Sequence, residues 1–221
     1  MSKSGTRLLK FPSRGEWMPH KEIPMHGLIR NAASVLAYGV LAAVATLAHS
    51  QGEPAKAAKP AVGTVMTPAA TYGKLLGMME KEFVDAAEAM PEDKFNFAPP
   101  ETSGDFKGVR SFGAQVKHVA EANWYFFGGP EMTEEKAKAK HDAIEKLTTK
   151  AEIVQALKDS LAQGHSFIDG TTAENAFVMT NNGTRGGMAT FGIAHMMDHY
   201  GQLAVYLRMN GIVPPASRGS M

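Results

Sequence analysis

Two histidines, His195 and His199, stand four residues apart in the run His-Met-Met-Asp-His, inside the stretch Thr190 to Pro214. On a helix that spacing is about 400° of rotation, so both imidazoles leave the same face one turn apart. Neutral imidazole is the commonest protein metal ligand, and two at this spacing can each turn a nitrogen to one ion without backbone strain. No Glu follows the first histidine, so the zinc-protease pattern is absent. Histidine pairs of this kind also occur as surface or hydrogen-bonded core residues, and a metal centre therefore needs a third ligand. The chain contains no cysteine. That excludes disulfides, thiolate nucleophiles and Cys-ligated zinc or iron–sulfur sites, and it leaves His and carboxylate as the strong ligands.

The helix that presents the pair has a marked stop: Asn210-Gly211 offers a left-handed closing residue, and Pro214-Pro215 cannot extend it. The spacing predicts one helix of about five turns. At 221 residues the chain is one domain with appendages or two small domains. Residues 1–50 hold six Lys/Arg against two Glu, a net of +4, whereas 51–221 hold 17 basic against 20 acidic residues, a net of −3. A weakly acidic body without a basic cluster is poorly suited to gripping phosphates, so nucleic acid is not an expected partner.

The basic end has another reading. Asn31 to Ser50 carries no charge, follows Arg30 and ends Ala48-His49-Ser50, the layout of a signal peptide. The expectation is an exported protein, periplasmic or extracellular, cleaved after Ser50, with Met25 a candidate true start. The alternative is an uncleaved anchor, and only then is a membrane a partner; the run is rich in Ala and Gly and weakly hydrophobic for a span. Residues 51–66 mix Pro, Ala, Gly and Lys and form a flexible tether. The folded body is expected over 67–215, and 216–221 is a tail.

Thr67-Pro68 opens a first helix to about Met90, with Tyr72, Leu75, Leu76, Met79, Phe83, Ala86, Ala87 and Met90 as its apolar stripe. Pro91 to Arg110 reads as a long connection pinned by Phe95, Phe97 and Phe106. Ser111 caps a second helix, Phe112 to about Phe127, with Phe112, Val116, Val119, Ala122 or Asn123, and Phe126 inward and His118 near that face. Glu131 to Thr148 is a solvated connection or a short surface helix, and His141 in it is an ordinary surface histidine. Thr149 with Glu152 is a capping box for a third core helix through Ile153, Leu157, Leu161 and Phe167 or Ile168 to Gly170, with His165 in its last turn. Thr171 to Gly187 is loop-forming. Nothing in the body alternates as strands do, so the fold class is all-α, a four-helix bundle with long connections.

Residues 67–215 resemble the DinB-like (DinB/YfiT) family of bacterial four-helix bundles. The match lies in the second-helix run from Ser111 through His118 to Asn123, in the run His195 to Gln202, and in the ending Tyr206 to Pro215. The resemblance implies that His118 joins His195 and His199 to bind a divalent transition metal, which could be zinc, nickel, iron or manganese. Three imidazoles leave a coordination position for water or substrate, as in catalytic sites. Glu121, Asp198 or Gln202 are candidates to accept the second N–H of a ligating histidine. Asn123, Trp124 and Tyr72 are candidates for the pocket mouth, and Arg208 for a structural contact near the C-terminus.

Some relatives resemble metal-dependent thiol transferases using bacillithiol, mycothiol or glutathione, thiols that an exported chain would seldom meet. The expected function is therefore a metal-dependent hydrolase or transferase of a small molecule. The alternative is a non-catalytic metal-binding or stress-associated module. The family and the apolar first helix also suggest a homodimer.

Overall fold

The computed structural model describes residues 59–219. The leader, its cleavage after Ser50 and the start at Met25 lie outside the described residues, as do residues 51–58 of the tether. Lys59 to Thr67 is exposed coil.

The helices are α1 (Pro68–Ala89), α2 (Phe112–Phe127), α3 (Glu134–Glu145), α4 (Lys150–Asp169) and α5 (Arg185–Met209). Each start has a side-chain cap. Thr67, Ser111, Thr133 and Thr184 accept from the N–H three residues on, and Thr149 with Glu152 closes a full capping box. The C-terminus of α1 is met from outside, where Lys150 Nζ donates to Glu88 O and Met90 O, both at 2.7 Å. Gly211, at φ 73°, supplies the left-handed turn that ends α5.

The four long helices form a closed ring, α1 against α4, α4 against α2, α2 against α5 and α5 against α1. The third helix lies outside it against α2, with Ile144 its buried residue. Phe83, Phe112, Phe127, Leu157, Leu161, Met196 and Leu203 fill the centre. Phe127 is accommodated by small residues on two helices. A Cβ on Gly192 would stand 2.5 Å from its Cζ, and one on Gly164 would stand 3.3 Å from its Cδ2.

The architecture is all-α, as expected, with an isolated Met179–Thr184 bridge in place of any strand among the described residues. Three details differ from the reading of the sequence. The last helix starts at Arg185, not Thr190, and has about seven turns rather than five. Gly186-Gly187 look like loop residues, but Thr184 caps them into a first turn where a Cβ on Gly186 would stand 3.0 Å from Tyr72 Oη. Leu75 is 45% exposed, because α1 turns that edge away from α4 and α5. Of the three connecting phenylalanines, Phe95 packs edge-on to Phe112 and Phe97 to Tyr206, whereas Phe106 folds back over Gly104.

Candidate metal centre

The second and fifth helices are neighbours in the ring, and their facing sides carry the three histidines. His199 lies in the buried stripe of α5 with Met196 and Leu203 and is 6% exposed. His195, one turn earlier, and His118 on α2 are half-buried. The three rings gather with centroids 4.5 to 5.1 Å apart, and one nitrogen from each lies within 4.8 Å of the others. Phe126 packs edge-on to His195 at 5.3 Å and walls one side.

His118 Nε2 and His195 Nε2 are 3.2 Å apart. An ion bonded to imidazole nitrogens at about 2.0–2.1 Å with tetrahedral angles sets them about 3.3 Å apart. Two neutral imidazoles aimed at one another at that distance need a proton or a cation between them. His195 Nδ1 is buried without a hydrogen-bond partner.

The orientation of His199 is set by a chain of amides. Its Nδ1 lies 2.5 Å from Gln115 Oε1, Gln115 Nε2 donates to Gln202 Oε1 at 2.6 Å, and Gln202 Nε2 donates to Asp198 Oδ2 at 3.3 Å. An ionised carboxylate only accepts, so each link has one direction. Gln202 must give its amide N–H to Asp198, Gln115 must give its own to Gln202, and Gln115 Oε1 is left to accept from His199 Nδ1–H. His199 Nε2 then carries the free lone pair, which is the tautomer a ligand needs.

Protonation is disfavoured at all three rings. Burial, then the Arg110 guanidinium and the neighbouring imidazoles, hold His118 down to about 3. Burial and His199 hold His195 to about 4, against the opposing pull of Asp198. His199 is also lowered by burial, partly offset by Asp198. Three neutral imidazoles, with the tautomer of His199 fixed by Gln115, form a donor set suited to a divalent ion.

The remaining candidates are dispersed. His165 Nε2 pairs with Glu80 Oε2 at 2.5 Å, bridging α4 to α1. His141, half-exposed on α3, lies 3.2 Å from Glu121 Oε2, which turns Glu121 away from the triad. Asn123 is buried and donates to Ser160 Oγ on α4 at 3.1 Å, so it is no part of a pocket mouth. Trp124 lies under Lys140, and Tyr72 is beside the start of α5. Arg208 bonds Ser217 Oγ at 3.2 Å, a structural contact. Gln202 and Asp198 do back a histidine, but through Gln115, which the reading of the sequence missed. Its signal was a polar residue one turn before His118 among Phe112, Val116 and Val119.

No curated protein matches the chain. The family model described as the DinB superfamily matches residues 75–203, from the first turns of α1 to Leu203 on α5, a span that includes all three histidines. A bundle of this ring order with a match over more than half its length assigns the family: the chain belongs to the DinB superfamily.

Proposed function

We propose that His118, His195 and His199 bind one divalent transition metal and that the protein is an exported metal-dependent hydrolase or transferase acting on a small molecule. The observation that carries this reading is the convergence of three neutral imidazoles, one with its tautomer imposed by Gln115. A metal bound there would supply Lewis acidity, lowering the pKa of a bound water or substrate thiol. The chain's own residues do the rest. Gln115 keeps the His199 lone pair directed inward, Phe126 limits water beside His195, and Arg110 adds positive potential that favours neutral rings and an anionic substrate.

The test is metal analysis of protein isolated from its own host, joined to turnover on a panel of esters and electrophiles. Activity that vanishes with His199→Ala supports the enzyme. A chain isolated without metal, or one whose activity survives that change, overturns it.

A second reading is a non-catalytic metal-holding module. It is favoured by the enclosure of the triad, with His199 6% exposed and Phe126 packed edge-on to His195. Full metal occupancy with no turnover on any substrate class would select it.

A further inference from the structure

A second group of ligand-type side chains lies where α3 crosses α2. Glu121 comes from α2, one turn beyond His118, and His141 and Glu145 come from one face of α3, four residues apart. One donor atom of each lies within 4.8 Å of the other two. The Glu121 side chain is 13% exposed, and its Oε2 is 3.2 Å from His141 Nδ1. Its other oxygen, Oε1, is cut off from solvent and has no hydrogen-bond partner. A carboxylate oxygen in that state is costly unless something positive reaches it.

No lysine or arginine pairs with either carboxylate among the described residues. The nearby Lys117 Nζ donates instead to the main-chain carbonyl of Glu145, at 2.9 Å. Lys138 is taken by Asp142, and Lys140 lies over Trp124. The cluster therefore gathers two carboxylates and one imidazole with no resident cation. His141 and Glu145 keep its outer side open to solvent, so an ion has a path in.

We propose that Glu121, His141 and Glu145 form a second divalent-cation site, separate from the three histidines and linking α3 to α2. Two carboxylates and one imidazole are a harder donor set than three imidazoles and suit manganese, iron(II) or zinc. Burial and the adjoining Glu145 push the Glu121 carboxyl up to about 7, so a proton is the competing occupant. The site does not depend on the histidine triad being a metal centre.

The test is a Mn²⁺ titration of the full chain, following the free-ion EPR signal and the NMR line width of the His141 ring. It is run on the natural protein and on the double variant His195→Ala/His199→Ala. The expected result is one bound equivalent in the double variant, with the His141 ring broadened. Adding His141→Ala or Glu145→Gln, both on the exposed face of α3, should weaken that equivalent at least tenfold. No binding in the double variant, or binding indifferent to both α3 changes, overturns the site and leaves a shared proton between Glu121 and Glu145. Binding that persists in the double variant but shows no second equivalent in the natural protein tells against the triad instead.

Discussion

Gln115 allows the sharpest test of the triad. Its side chain is 3% exposed, accepts from His199 and donates to Gln202. Replacing it with Leu keeps most of the volume but deletes both bonds, leaving His199 Nδ1–H facing carbon inside the bundle. The unmet donor costs about 1–3 kcal/mol, and the imidazole loses the contact that selects its tautomer. Loss of such a backing contact typically weakens metal binding about 10–100-fold, or about 1.4–2.7 kcal/mol. Gln115→Ala should lose less than Gln115→Leu, because the space it opens is polar-lined and can admit a water to accept from His199. Gln115→Glu keeps an acceptor against His199 and should bind closest to the natural protein. The assay is competition for Zn²⁺ against a chromophoric chelator, with thermal melts of the metal-free variants to confirm folding. A folded Gln115→Leu protein with unchanged Zn²⁺ affinity would refute the backing role and the tautomer derived from it.

Other expectations follow from packing and charge. Gly192→Ala places a Cβ 2.5 Å from Phe127 Cζ. Its overpacking cost of about 1–3 kcal/mol should exceed the helix-propensity gain of up to about 1 kcal/mol, lowering Tm. Gly201→Ala meets nothing within 4 Å and should raise Tm by the propensity gain alone. Lys150→Met removes both bonds to the end of α1 and should cost about 1 kcal/mol in urea melts. Acid should destabilise the metal-free protein. His118 and His195 fall from 6.5 to about 3 and about 4 in the folded state, so the unfolded chain binds more protons in that window. Their contribution is complete above pH 6.5 and lost on descent toward pH 3. Because both rings are partly solvated, the loss is about 1–3 kcal/mol. Glu121, raised to about 7, works with the opposite sign between pH 4.5 and 7, so the melts are best compared with a Glu121→Gln variant.

Helix starts were legible wherever a hydroxyl cap preceded an apolar stripe, as at Thr67, Ser111 and Thr149, because the capping bond is local and needs no tertiary partner. The start of α5 was not legible, since its first turn is glycine for reasons lying in Tyr72, far away in the chain, and in the fold of the preceding loop at Ala176. The pairing of His195 with His199 could be read from spacing, whereas His118 joined them through family resemblance. The partner of His199 could not be read, because an amide reaching across from another helix leaves no periodic trace. Glu121 illustrates the converse: its position beside His118 suggested service to the triad, but α3 returns over α2 and claims it through His141.

The ring order has a topological consequence. His118 and His195 touch although 77 positions separate them, and α3 and α4 lie within that interval. A ligand clasping both would tie off a large closed circuit of chain, a restriction felt far more by the unfolded coil than by the bundle. The coil would keep only the neighbouring His195 and His199, a weaker grip, so the clasp would favour the native form in proportion to the free ion present.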